Sequence, residues 1–232
     1  MVILGAIVNA ISVVFGAGVG TTFGHLLKNN TRKGIMTAVA LVVIFIGIQG
    51  ALETDNLIVM VLSLVMGTLI GETVDFDGKL NHFALKLQER VADEGESTFQ
   101  EAFVSATLFV VVGAMAIIGS LQSGLFLDHT TMYAKSILDF VFVFVFVLSS
   151  TLGIGSAFAA IPLFIYEAVL SLLSASIAPL LGDVVTSEIG AVGSLIIMGL
   201  GFNLLQITDI KVMNIAPSMF VPIVLIPLFN LF

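Results

Sequence analysis

Apolar runs long enough to cross a bilayer follow one another along this chain with only short polar breaks between them. Spanning the hydrocarbon as a helix takes about 20 apolar residues. Such runs fall at residues 2–27, 35–52, 57–74, 99–121, 137–151, 157–181, 189–205 and 213–232. The chain has 232 residues, of which 58% are hydrophobic and 10% charged, and its mean hydropathy is +1.16. A soluble domain carries about 25% charged residues, so too few exist here to clothe a water-facing surface, and lipid must be the solvent. The expected fold is all-α, a polytopic transmembrane bundle of about seven to eight spans with the lipid bilayer as its partner. The N-terminal MVILGAIVNAISVVF lacks a basic leader region and a small-residue cleavage site. It reads as a retained helix rather than a signal peptide.

Residues 137–181 run on with little interruption. They suit two helices linked near Gly153–Ser156, or one span with a re-entrant segment. Within them DFVFVFVFVLSS, Asp139 to Ser150, alternates with a period of two. Both members of the alternation are apolar, whereas a membrane barrel strand alternates apolar with polar. The passage is expected to be a helix, greasy all round and facing lipid, with Val143 as its representative.

The formal net charge of −8 and the 8 basic residues argue against a nucleic-acid partner, since phosphate backbones attract an excess of Lys and Arg. Cysteine is absent, and His25, His82 and His129 lie far apart. Neither a zinc site nor any other metal or cofactor is expected. With eight spans and the N-terminus outside, Lys28, Arg32, Lys33, Lys79, Lys86, Arg90 and Lys211 fall inside and Lys135 outside, which follows the positive-inside rule. With seven spans Lys211 moves outside. Glu53, Asp55, Asp128, Asp183 and Glu188 fall in the outer loops.

The stretch 75–98 is the one soluble-looking part. Leu80, Phe83, Ala84, Leu87 and Val91 share one helical face, as in a helix lying along the inner membrane surface or beneath the bundle. The acidic run 93–96 follows as a loop, and Ser97 with Gln100 forms a capping box for the next span. The chain thus divides into a first membrane half, 1–74, a cytoplasmic amphipathic helix and linker, 75–98, and a second membrane half with an inserted segment, 99–232.

Two internal echoes point to duplication. Gly18-Val-Gly20-Thr21-Thr22-Phe23 matches Gly153-Ile-Gly155-Ser156-Ala-Phe158 at an offset of 135. Leu41-Val-Val-Ile44 matches Leu195-Ile-Ile-Met198 at an offset of 154, and in that register Gly47 meets Gly201, Gln49 meets Asn203, and Thr54-Asp55 meets Thr208-Asp209. In an eight-span topology the second echo is inverted in the membrane. Inverted repeats recur in secondary transporters, with the site at the repeat interface.

The N-terminal GAIVNA (Gly5 to Ala10), GIQGALETDNL (Gly47 to Leu57), GFNLL (Gly201 to Leu205) and the Lys211-Val-Met-Asn-Ile-Ala-Pro that follows resemble the uncharacterised bacterial integral membrane proteins of the YdfK/YqgA type, a domain-of-unknown-function family. The resemblance covers nearly the whole chain. It implies an integral location in the bacterial plasma membrane and transfers no functional residue.

Candidate site residues follow from membrane cost. Gly16, Gly20 and Gly24 form a small-xxx-small ladder, with Asn9 on the same face. The ladder serves close helix packing, within the chain or in a homo-oligomer. Alternatively the helix is unwound at Gly18–Gly20 and its freed backbone, with Thr21 and Thr22, binds a ligand. Gly153, Gly155 and Ser156 are the twin of that motif. Gln49 and Asn203 are amides that either bond across helices or line a shared cavity. Glu167 lies deep in its run, with no Lys or Arg inside any expected span to pair with it. An intramembrane charge costs at least about 2.5–3.5 kcal/mol, so Glu167 is a candidate proton-coupling group. Asp139 reads as a local partner of Lys135 at i−4.

No nucleophile–base pair, metal spacing or phosphate loop is present, so an enzyme is not expected. GVGTTFG lacks the preceding strand and the following Lys-Ser/Thr of a nucleotide loop. The expected function is secondary transport of a small solute or ion by alternating access. A channel or lipid-handling protein is the alternative, and a non-transporting scaffold a further one.

Overall fold

The structure is a computed structural model that describes residues 1–24, 26–91, 98–112, 114–149 and 155–229. His25, the acidic run 93–96, the capping residue Ser97 and Gly153 lie outside the described residues. Those residues form helices α1 (Leu4–Gly24), α2 (Asn29–Ala51), α3 (Leu57–Val74), α4 (Phe76–Val91), α5 (Thr98–Val111), α6 (Ala114–Phe126) and α7 (Thr130–Ser149). Then come α8 (Gly155–Phe158), α9 (Ala160–Leu172), α10 (Ser174–Ile177), α11 (Asp183–Leu204), α12 (Val212–Ile215) and α13 (Pro222–Phe229), with short 3₁₀ turns at Ala178–Leu180 and Ala216–Phe220.

Among the described residues six helical stretches are long and apolar enough to cross a membrane: Leu4–Gly24, Asn29–Ala51, Leu57–Val74, Thr130–Leu148, Gly155–Leu172 and Asp183–Leu204. Phe99–Val111 and Met115–Phe126, bent by 60°, make a seventh if taken as one span. The expected last span, 213–232, is instead the shorter apolar stretch Val212–Leu228, broken into α12, a 3₁₀ turn and α13. Pro217, Pro222 and Pro227 fall within it, and each removes a backbone donor that a continuous helix would need.

The chain forms two compact units, each drawn from separated stretches. The first comprises Met1–Val39, Leu80–Val111 and Met115–Ala175, and the second Ala40–Lys79, Val112–Ala114 and Ser176–Phe232.

In the first unit α1 packs along α7. A Cβ placed on Gly16 would lie 2.8 Å from the carbonyl oxygen of Phe140, and one on Gly20 would lie 2.8 Å from that of Phe144. Both contacts advance by four residues, so the helices run parallel. Backbones approach this closely only where side chains are small. The glycine ladder therefore packs helices, and α1 is continuous through Gly18–Gly20 with no unwound backbone there.

The Phe/Val alternation is helical, as its length requires, but it does not face lipid on every side. Val143, Phe146 and Val147 are buried, while Ile137, Leu138 and Val141 are exposed. Val143, expected to face lipid, is fully enclosed because it shares the face of α7 that meets its neighbours. On α4, Leu80, Ala84 and Leu87 pack against Phe99 and Phe103 of α5, as the amphipathic spacing requires. Phe83 stays half exposed with its ring 6.0 Å from that of Phe103.

In the second unit Asn56 starts α3 by accepting the amides of Ile58 (3.1 Å) and Val59 (3.2 Å), an N-cap pattern. Asp75 ends α3 in the left-handed region at φ 53°, donating its amide to the Gly71 carbonyl. Its carboxylate then accepts the Gly78 amide at 3.2 Å at the start of α4. A short polar side chain tolerates this backbone better than most.

Candidate functional site

Three helices of the first unit deliver four polar side chains to one buried point. Asn9 comes from α1, Lys135 and Asp139 from α7, and Glu167 from α9. None is more than 5% exposed, and Asn9 and Glu167 are fully enclosed. The glycine packing of α1 on α7 is what brings Asn9 within reach. Its Nδ2 donates to Asp139 Oδ2 at 2.9 Å and to Glu167 Oε1 at 2.8 Å. The Lys135 ammonium donates to Asp139 Oδ2 and to the Val110 carbonyl at 2.7 Å, and stands 3.8 Å from Glu167 Oε1. Val110 is in the last turn of α5, where carbonyls have no helical donor and the helix dipole favours a cation.

The cluster is not saturated. Asn9 Oδ1 and Glu167 Oε2 are buried without a hydrogen-bond partner. With both hydrogens of its amide committed to carboxylates, Asn9 must present Oδ1 as an acceptor. Both unfilled positions are acceptors.

The sequence points to Asn9 and Glu167 but puts Lys135 outside the spans, leaving Glu167 without a cationic neighbour. The structure corrects this. The helix begins at Thr130 rather than at 137, so Lys135 lies within its first two turns and turns inward. Asp139 is likewise a member of the buried cluster and not merely a local partner of Lys135. A signal for this exists in the sequence: an acid–base pair four residues apart at the head of an apolar run, in a chain with an unpaired intramembrane carboxyl elsewhere.

The other candidates are not gathered here. Gly18 is open, with nothing within 4 Å of the position a Cβ would take, and Gly20 is packing surface. Thr21 and Thr22 donate to carbonyls of their own helix, Ala17 and Gly18, at 2.8 and 2.9 Å. Gly155 is seated against the Phe99 carbonyl of α5, and Ser156 is buried beside it in sequence. Gln49 is exposed on α2. Asn203 pins its own loop, donating to the Ile210 carbonyl (2.8 Å) and accepting from the Thr208 hydroxyl (2.7 Å) and Ile210 amide (2.9 Å). The two amides therefore do not share one cavity.

The second unit holds a contrasting carboxylate. Glu188 is not in a loop, as expected, but inside α11 and fully buried. It accepts the Thr54 hydroxyl at 2.8 and 3.0 Å, the Asp55 amide at 2.7 Å and the Asn56 amide at 2.9 Å. It anchors the turn between α2 and α3.

Long apolar helices with charge enclosed among them define a polytopic helical membrane protein. The sequence matches the family described as "Protein of unknown function (DUF554)" over residues 4–227, and the chain belongs to that family. It is 27% identical over 226 residues to the "Uncharacterized membrane protein YdfK" of Bacillus subtilis (strain 168), covering 96% of this chain and 95% of the relative. It is 28% identical over 221 residues to the "Uncharacterized protein YqgA" of Escherichia coli (strain K12), covering 94% and 93%. No solved structure matches.

Proposed function

We propose that this chain is a secondary transporter that moves a small solute or ion across the bacterial plasma membrane by alternating access. The observation that carries the reading is the enclosed Asn9–Lys135–Asp139–Glu167 cluster. Ionisable groups at membrane depth are expensive and mark ion or substrate pathways.

The second unit supports an inverted repeat. Ile44 and Met198 are partners in the sequence echo, as are Gly47 and Gly201. In space a Cβ on Gly47 would lie 2.6 Å from Met198 Cβ, and one on Gly201 would lie 2.6 Å from Ile44 Cγ1. Each glycine thus meets the counterpart of the other's neighbour, the reciprocity of a two-fold axis. The pair α2 and α11 runs antiparallel, as inversion requires. The crossing of α3 with the segment after α11 behaves alike: Gly67 packs on Ser218 and Gly71 on Asn214. There the Ser218 hydroxyl donates to the Leu64 carbonyl at 3.3 Å, across a separation of 154 residues, the spacing of the echo. Inverted repeats provide two quasi-equivalent arrangements for alternating access.

Helix direction supports the bent α5–α6 pair as a crossing. Parallel α1 and α7 require an odd number of crossings between them, and α2 and α3 supply two. The same count leaves α2 and α11 antiparallel. The charge distribution then favours an N-terminus outside the cell. The chain is read as non-enzymatic.

The absence of cysteine makes the test clean. Single cysteines at Val13, Ser136 and Ser171, each within one helical turn of a cluster residue, are probed with a membrane-impermeant thiol reagent from either side of sealed vesicles. Val141, on the exposed face of α7, is the lipid-facing control. Transport by alternating access predicts labelling from one side or the other according to pH, with the control unlabelled. Labelling from both sides at once favours a channel. No labelling from either side overturns the reading and favours a scaffold.

A further inference from the structure

The cluster in the first unit lacks two things at once, a positive charge and a hydrogen-bond donor. It contains two carboxyls and one ammonium. Lys135 donates to Asp139 and to the Val110 carbonyl, and its ammonium meets Glu167 Oε1 only at the ion-pair distance of 3.8 Å, so one cation serves two carboxyls. Glu167 receives one hydrogen bond, from Asn9, on Oε1. Its Oε2 has none, and neither does Asn9 Oδ1.

Among the described residues, the surrounding helices do not supply the missing charge. Helices α1, α6 and α8 carry no ionisable side chain. Helix α5 carries Glu101, which is exposed, and α7 carries Lys135, Asp139 and Tyr133, the last of them exposed. On α9 itself Tyr166 adjoins Glu167, and its hydroxyl is buried without a partner.

We propose that the cluster is a one-proton site: Glu167 takes up a single exchangeable proton from water, and Lys135 is the built-in counter-cation for Asp139. The bond formed is O–H at the Glu167 carboxyl, the bond broken is an O–H of a hydronium ion, which is left as water, and the cluster's net charge goes from minus one to zero. An unfilled acceptor becomes a donor in the same step. This deepens the transport reading above by naming its coupling ion, and it rests on that reading for its role in a cycle but not for the chemistry of binding.

The test is infrared difference spectroscopy on the full chain in lipid vesicles, comparing acidified with alkaline samples in water and in heavy water. The expected result is a protonated-carboxyl stretch that appears on acidification, shifts with deuterium and vanishes in Glu167→Gln. Replacing choline chloride by sodium chloride at fixed pH leaves that band in place. Loss of the band to sodium shows a metal-cation site and overturns the proposal. A band retained in full in Glu167→Gln does the same. Should Glu167→Gln not fold, Asn9→Ser supplies the second arm: it removes the donor to Oε1, and an unchanged midpoint of the same band overturns the proposal while a displaced one supports it. A titrating Glu167 band without alternating thiol labelling leaves the proton site standing and removes the transport reading. Alternating labelling without the band does the reverse.

Discussion

Glu167 and Glu188 are both fully buried carboxyls in long apolar helices, and they are held in opposite ways. Glu188 accepts hydrogen bonds from one hydroxyl and two amides, all on the turn 54–56. Every donor is neutral and fixed by the backbone or next to it, so this carboxylate is an anchor. Glu167 has a single donor at hydrogen-bond distance, a cation slightly further off that is committed elsewhere, and one bare oxygen. Burial alone does not distinguish these two acids. The completeness of the partner set does.

The largest expected effect is therefore at the anchor. Glu188→Ala takes the acceptor from the Thr54 hydroxyl and the Asp55 amide, while the Asn56 amide keeps the Thr54 oxygen at 3.2 Å, and it is expected to lower stability by about 2–3 kcal/mol, read as the unfolding transition of the purified protein in detergent. A wild-type transition would break the contrast between the two acids. Next comes the helix contact that positions Asn9. Gly20→Ala forces a methyl group to 2.9 Å from Val147 Cβ and is expected to destabilise by about 1–3 kcal/mol. Gly18→Ala, in open space, is expected to stabilise by up to about 1 kcal/mol. Equal effects at the two glycines would undo the packing account of the ladder. Glu167→Gln keeps Oε1 as an acceptor and turns the bare oxygen into a donor, so its stability is expected to stay within about 1 kcal/mol of wild type. A loss as large as that of Glu188→Ala would make Glu167 a second anchor.

The smallest effect sharpens the comparison from outside the spans. Asp128, exposed ahead of α7, accepts the hydroxyl and the amide of Thr130 at 2.7 and 3.0 Å. These bonds, the hydroxyl first, hold its carboxyl below the usual carboxylate range. A lowered folded value means the stabilisation is present at neutral pH and is lost as pH falls through that value. Thr130→Val is expected to lower the melting temperature slightly at neutral pH, with the difference closing on strong acidification. A difference that widens with acid would contradict the sign.

Much of the helical architecture is legible in the sequence, because bilayer-length apolar runs leave few alternatives. Asn9 and Glu167 are legible as costs that demand partners. Lys135 is not, since hydropathy places the start of α7 at 137 and a lysine's long stem can turn inward from the first turns of a helix. The glycine pair at Gly18 and Gly20 suggests a break, yet only Gly20 meets a neighbour, and which glycine faces a helix is decided by tertiary packing. The burial of Val143 is hidden for the same reason, because an all-apolar helix carries no mark of its buried side. Gln49 and Asn203 match in sequence but diverge in use. The Thr208 hydroxyl and Ile210 amide are held by Asn203, whereas their counterparts, the Thr54 hydroxyl and Asn56 amide, are held by Glu188.

The most direct test of the central claim is the current evoked by a pH jump across the reconstituted protein on a solid-supported membrane. A proton entering an enclosed site moves charge through part of the membrane field. The account predicts a transient current in wild-type protein that is absent in Glu167→Gln folded to the same stability. A wild-type current no larger than that of protein-free membranes, or a full current in Glu167→Gln, would contradict it.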